Sequence, residues 1–517
     1  MSQVFTRAEV GKHNKEDDAY VIIGDIVYDV SRFAGMHPGG ELLLLQYAGE
    51  DCTEDFYSMH RQSVLDKFGP RLQVGVLEGA TVESKAEGLT KFSDISKIPY
   101  AESLFWRGFK SPYYDESHKV FRKYVREFYD REVRAIALES EESNEPATPE
   151  LMQKVSQAGL LHTRIGPGKH LNLLPMPCGI APEKFTYFHE MILHEEASRV
   201  MCPGFVDSMY AGFSISAPPL VNYGTKYMRE HIVPEVISAR KRSCLAITEP
   251  FAGSDVAGLR CTATKTPDGK YYIVNGVKKW ITGGHFADYF VTAVRTGGPG
   301  AAGISMLLIN REHGVRTKLI KTSYSSSAGT AYVIFENCKV PVENLMSKEN
   351  KGFHAVMANF NHERWVIIAG MIGAARYVVE ECFKWAVQRK VFGKPLIQQA
   401  SIREKLGKMV IKVETVHSYL EVITHQMDNL SYQEQAIKLG GPISLLKYQT
   451  TRVCHDVADQ SVQIFGGRGV TKGGMGHVIE TFHRTYKLPS VYGGSEEIML
   501  SLGISQAMRS YPKDSKL

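Results

Sequence analysis

Three textures of hydrophobic and polar positions succeed one another along the chain. Residues 1–80 hold short β-branched runs at 19–23 and 26–30, broken by turn residues and followed by short helical stretches; this predicts a small α+β unit. A polar stretch at 79–96 reads as a linker, and with the partly apolar 100–109 it sets the connecting segment at 81–112. Residues 113–240 take a helical period, and 119–136 place mixed charge beside an apolar stripe. Between 241 and 350 the runs become strand-like, at 271–274, 289–294 and 304–309, and Asn275-Gly276 predicts a tight hairpin after the first. The helical period returns at 351 and continues to 517, with no internal repeat.

Composition narrows the class without naming a chemistry. With 517 residues, 43% hydrophobic and 23% charged, the chain reads as a soluble globular protein of roughly three to four domains. Its 61 basic and 56 acidic residues leave a scattered net charge of +5, so nucleic-acid binding has no electrostatic footprint. The eight cysteines lie far apart with no C-x-x-C, which predicts free thiols in a reducing compartment. No apolar run approaches the roughly eighteen residues of a membrane span, and the N-terminus lacks the apolar core of a signal peptide. The chain ends in Ser515-Lys516-Leu517, the peroxisomal address, so a peroxisomal location is expected, with the cytoplasm as the alternative.

The first candidate chemistry lies in the head. His37-Pro38-Gly39-Gly40 follows the strand-like 26–30, and a second histidine, His60, closes the run 51–60. Two neutral imidazoles can supply both axial positions of one haem iron, given apolar walls such as Phe33 and Phe56. The HPGG, the preceding YDVSRF and the intervening AGEDCTEDF resemble the cytochrome b5 family over residues 3–78. That resemblance implies haem b held by His37 and His60, and an electron carrier with both axial positions filled.

The second lies in the body. Residues 246–258, AITEPFAGSDVAG, combine small residues that let backbone N–H groups approach a ligand with the hydroxyls of Thr248 and Ser254. Residues 276–284, GVKKWITGG, offer a tryptophan able to stack on a planar ring, followed by a threonine able to anchor it. With QRKVFGK at 388–394 and QIFGGRG at 463–469, these segments resemble the acyl-CoA dehydrogenase family over residues 113–508. The resemblance implies an all-α N-terminal domain, a β-barrel-like middle domain and an all-α four-helix-bundle C-terminal domain. It implies FAD held by Leu245, Ile247, Thr248, Gly253, Ser254, Trp280, Ile281 and Thr282 of one subunit. Arg389, Phe392, Gln463, Gly466 and Gly467 would reach the FAD of a neighbour in a homodimer or homotetramer, with Ser495 and Glu497 as further contacts. The family's usual glutamine after FGK falls at Ala400, with Gln399 one residue earlier. The run His189-Glu190…His194 is one residue too long for H-E-x-x-H, which makes a zinc site improbable.

Removing hydrogens from Cα and Cβ of an acyl thioester needs a carboxylate whose pKa burial lifts toward neutrality. Many members of the resembled family carry it in a Y-E-G-T segment, but this chain reads Tyr492-Gly493-Gly494 there. A helical stripe through Phe353, Val356, Met357, Phe360, Arg364, Ile367, Ile368 and Met371, apolar apart from Arg364, contains Glu363, a carboxylate that needs a purpose or a partner on such a face. The pair Asn361-His362-Glu363-Arg364 and Tyr492-Gly493-Gly494 resembles the isovaleryl-CoA and long-chain branch. That branch implies Glu363 as base, the Gly493 N–H as a donor to the thioester carbonyl, and Ser254, Arg364, Tyr492 and Gly493 as substrate contacts. Long or branched acyl chains are expected. Three functions stay open: a dehydrogenase passing electrons to its own haem, an oxidase passing them to oxygen, and a silent haem- and acyl-CoA-binding sensor. An electron-transfer protein is a further candidate acceptor.

Overall fold

The computed structural model describes residues 3–80, 94–512 and 514–515. Residues 81–93 of the expected linker, and Lys516 and Leu517 of the C-terminal tripeptide, lie outside the described residues. Two compact units divide the chain: Met1–Ile98 with Glu381–Leu406 and Ser461–Glu480, and Pro99–Glu380 with Gly407–Gln460 and Thr481–Leu517. No described helix is long and apolar enough to cross a membrane.

In the first unit the head is a five-stranded sheet in the order Gln3–Phe5, Gln73–Leu77, Ile26–Asp29, Asp18–Ile23, Asn14–Lys15. The period of two along a strand sends Ala19, Val21 and Ile23 into one core with Tyr28 and Val30, while Ile22 enters a second with Phe5, Val27 and Leu77. Both faces are covered, which is why the run at 19–23 is apolar without alternation. Helices Glu41–Leu45, Thr53–Met59 and Gln62–Leu72 lie between the last two strands in sequence. Of the unit's other segments, Glu381–Leu406 carries a two-stranded hairpin, Lys390–Val391 against Lys394–Pro395, turning through Phe392 and Gly393 at φ +50° and +73°.

The second unit begins with helices, among them Glu116–Phe128, Pro149–Gln157, Tyr187–Ser198 and Pro203–Ala211. An eight-stranded sheet follows. Its order is Arg316–Leu319, Ala331–Pro341, Tyr271–Ile281, Thr262–Lys265, Tyr289–Arg295, Ile304–Asn310, Leu345–Met346, with Ser243–Ala246 parallel to Tyr289–Arg295. The expected hairpin at Asn275-Gly276 is absent. Those residues lie inside the strand Tyr271–Ile281, opposite a bulge in Ala331–Pro341. Asn275 is held by Asn337, whose backbone N–H donates to its Oδ1 at 2.8 Å, and a Cβ on Gly276 would fall 2.7 Å from the Cys261 backbone. The glycine serves close strand approach rather than a turn. The chain reverses instead at Asp268-Gly269, where Gly269 has φ +69° and joins Thr262–Lys265 to Tyr271–Ile281.

Helices Gly352–Gln388, Ala400–Asn429, Gly440–Phe465 and Glu496–Met508 supply most of the remainder. On the 37-residue helix Gly352–Gln388 the deepest stripe is Trp365, Ile368, Ile372, Ala375 and Val379, at steps of three and four. Phe360, Glu363, Arg364 and Ile367 flank it, which sets where the site forms.

Candidate functional site

In the head, His37 follows a short 3-10 turn and His60 ends the helix Thr53–Met59. Their ring centroids are 5.9 Å apart, room for one metal with a bond of about 2 Å to each ring. Each Nδ1 faces a backbone carbonyl, Gly40 at 3.1 Å and Phe56 at 3.3 Å. A carbonyl can only accept, so each ring carries its proton on Nδ1 and keeps the Nε2 lone pair for a ligand. Burial, the largest effect on His60, lowers its pKa and keeps it neutral. Phe56 stacks on His60 at 4.7 Å and Phe33 lies 6.1 Å from His37, giving apolar walls. A Cβ on Gly39 would meet His37 Cε1 at 2.8 Å, so the HPGG glycine makes room for the ligand ring. These residues fit a bis-histidine haem.

In the second unit the two small-residue segments are one construction. The Lys279 N–H donates to the Thr248 carbonyl at 2.9 Å, joining the loop after Ser243–Ala246 to the strand Tyr271–Ile281. Below it Lys278, fully buried, donates to the Ile247 carbonyl at 2.9 Å and pairs with Glu249 at 2.8 Å. Glu249 in turn accepts the Arg260 and Cys261 N–H groups at 2.6 and 2.8 Å. Leu245, Ile247, Thr248, Ile281 and Thr282 line this junction, half-buried or buried, and Gly253 and Ser254 are exposed beyond it. Trp280 is 51% exposed at φ +64°, a left-handed conformation unusual for a bulky residue, and the Lys279 ammonium lies 4.5 Å from its ring centroid. Open small-residue backbone, hydroxyls and a half-exposed indole fit a flavin. Lys278 and Glu249 were not picked out from the sequence; a lysine at a buried position of an alternating strand was the available signal.

Arg389, Phe392, Gln399, Gln463, Gly466 and Gly467 belong to the unit that holds the head. There Trp385 stacks on Phe465 at 5.2 Å and donates to the Ile464 carbonyl at 3.2 Å, which brings 388–394 and 463–469 together. Phe392 is 95% exposed, and a Cβ on Gly466 or Gly467 would meet nothing within 4 Å. Ser495 caps the helix Glu496–Met508 through the Ile498 N–H at 3.5 Å, and Glu497 is exposed in its first turn.

The carboxylate and the glycine do meet. A Cβ on Gly493 would fall 3.5 Å from Glu363 Oε1 and 2.8 Å from Ile367 Cδ1, so the two segments face each other with space for hydrogen alone. Glu363 is 8% exposed, and its Oε2 has no hydrogen-bond partner. Burial pushes its pKa up to about 7, against the pull of Arg364, Lys447 and His362. Neither neighbour in sequence pairs with it. His362 gives its Nε2 to Glu190 at 2.8 Å, and the Arg364 Nε donates to the Gly493 carbonyl at 2.8 Å. Glu190 also meets His194 at 3.2 Å, and among the described residues no group of three His, Cys, Asp or Glu could hold a metal.

Lys447 completes the arrangement. Its Nζ donates to the carbonyls of Tyr492 and Gly494 at 2.7 and 2.6 Å, pinning both sides of Gly493, whose φ is +66°. Burial lowers the Lys447 pKa to about 7; Arg364 acts the same way, while Glu363 and Glu496 oppose it. The sequence held a signal for it: Ile443, Lys447, Thr450 and Cys454 form a buried stripe at steps of four, three and four, with one charge on it. Nearby, Tyr324 donates to Asp207 at 2.9 Å, and burial raises the Asp207 carboxyl to about 7.

Comparison with known proteins matches these parts in order. The profile of the cytochrome b5-like haem/steroid binding domain matches residues 6–78. Those of the acyl-CoA dehydrogenase N-terminal, middle and C-terminal domains match 115–240, 244–338 and 350–508. The acyl-CoA dehydrogenase apdG of Emericella nidulans is 38% identical over 82% of this chain and 98% of its own. The chain belongs to the acyl-CoA dehydrogenase family. The isovaleryl-CoA dehydrogenase of Arabidopsis thaliana is 31% identical over 62% of this chain and 77% of its own. The solved acyl-CoA dehydrogenase of Geobacillus kaustophilus superposes with TM-score 0.68 at 25% identity, covering 77% of this chain and all of that one. The protein is thus an oxidoreductase acting on acyl-CoA, with FAD as the cofactor of its dehydrogenase fold and haem as that of its head.

Proposed function

We propose that the chain converts a long- or branched-chain fatty acyl-CoA to the trans-2-enoyl-CoA, with Glu363 as the base, and passes the electrons to its own haem head. The observation that carries this reading is the buried Glu363 carboxylate, its Oε2 without a hydrogen-bond partner and its Oε1 toward Gly493. With its pKa raised to about 7, Glu363 is ionised in part at neutral pH and basic enough to remove the α-proton. The Gly493 N–H is the donor offered to the thioester carbonyl, and Lys447 and Arg364 hold its peptide in place through the carbonyls around it. Placing the base on the helix Gly352–Gln388 rather than at 493 is what would free room near Cα in this reading, which suits branched or long chains. Arg364, Tyr492 and Ser254 complete the substrate contacts in this reading.

Bound FAD supplies the hydride acceptor at Cβ, and bound haem a one-electron acceptor. Leu245, Ile247, Thr248, Gly253, Ser254, Trp280, Ile281 and Thr282 hold the flavin. Arg389, Phe392, Gln399, Gln463, Gly466 and Gly467, with Ser495 and Glu497, contact flavin across a homodimer or homotetramer. Glu363→Gln, loaded with both cofactors and mixed anaerobically with acyl-CoA, is expected to slow flavin bleaching about 10²- to 10⁴-fold. Bleaching at the wild-type rate would refute Glu363 as the base.

A further inference from the structure

Within the first unit, the elements on either side of the haem ligand His60 make the contacts with the unit's other two segments. Arg61, the next residue, donates through Nε and Nη2 to the Met475 carbonyl at 3.1 and 2.5 Å. Its Nη1 lies 2.7 Å from Glu381, a carboxylate whose side chain is only 7% exposed. From the helix Thr53–Met59, which leads into His60, Glu54 meets Lys390 at 2.5 Å. One guanidinium thus reaches both segments at once, and Lys390 lies in the QRKVFGK run.

We propose that Arg61 is a latch that docks the haem head, so the head serves as a fixed rather than a freely tethered electron acceptor. The purpose of the latch rests on the internal relay proposed above; its geometry does not. A planar guanidinium satisfying a backbone carbonyl with two donors and a buried carboxylate with a third fixes orientation as well as position. The exposed Lys390–Glu54 pair adds little energy but sets the register of the dock, and it can be trapped chemically. The dock lies one residue from the ligand His60. Each dehydrogenation removes a proton and a hydride from the acyl-CoA, two electrons in all. The head would accept them one at a time, handing each to an external one-electron acceptor, so the same docked position serves both transfers. A latch gives that position a high effective concentration.

The test uses the full-length protein carrying FAD and haem. A zero-length carbodiimide treatment, read by peptide mass spectrometry, is expected to join Glu54 to Lys390 in the wild type. In Arg61→Ala, at equal haem content, the yield of that cross-link falls at least about fivefold, and raising the salt lowers it in the wild type. Anaerobic stopped-flow is expected to show unchanged flavin bleaching in Arg61→Ala and haem reduction slowed about tenfold or more. Arg61→Lys, which keeps the charge and loses the fork, falls between the two. No cross-link in the wild type, or an equal yield in Arg61→Ala, overturns the latch. A wild type that cross-links as expected but never reduces its haem sinks the relay and leaves the dock standing.

Discussion

Glu363 and Lys447 are an acid and a base whose ordinary order burial has erased, since both are moved to about 7. Glu363 can accept a proton only when ionised, so turnover should rise as pH climbs through about 7. Lys447→Met removes a cation that holds the Glu363 pKa down and frees the carbonyls of Tyr492 and Gly494. The pH–rate midpoint should therefore move up, with kcat about tenfold lower or less than that at its plateau and KM little changed. A midpoint that moves down, or stays, would contradict the charge contact. Stability carries the same signature with its own sign. Glu363 has a folded pKa above its ordinary value of 4.5, so the native state binds more protons between about 4.5 and 7, and stability falls as pH rises across that window. Glu363→Gln should then raise the melting temperature by a few degrees above pH 7 and by less near pH 4, as differential scanning fluorimetry would show.

At the scale of elements, the loop after Ser243–Ala246 hangs on the buried Lys278–Glu249 pair, which ties it to the strand Tyr271–Ile281. Lys278→Met strands a buried carboxylate at a cost of about 3–5 kcal/mol, so the variant should purify with less flavin and a lower melting temperature. A full flavin complement at wild-type stability would show the clamp to be dispensable. Periodicity was enough to place most elements, because stripes at 3.6 and alternation at 2 record which face is buried. It failed at Asn275-Gly276, where a sequence suited to a turn serves a bulge against Asn337, a partner 62 positions away. Glu363 was legible as a carboxylate on a stripe that is apolar apart from Arg364. Lys447 met the same criterion but was overlooked, and Arg364's bond to Gly493 could not be read at all, because it joins residues 129 positions apart.

At the scale of the molecule, both cofactors are legible in short contiguous runs of sequence: HPGG with a second histidine, and the loop and tryptophan strand of the flavin fold. What those runs could not convey is how the head is held, because Arg61, Glu381 and Met475 are brought together by folding alone. In the proposed function one chain dehydrogenates an acyl-CoA and accepts the electrons on its own haem. The most direct measurement is rapid anaerobic mixing of the flavin- and haem-loaded protein with long and branched acyl-CoAs, following both chromophores. The account predicts flavin bleaching first, then haem reduction at a rate independent of protein concentration, with enoyl-CoA formed. Flavin bleaching with the haem left oxidised would contradict it.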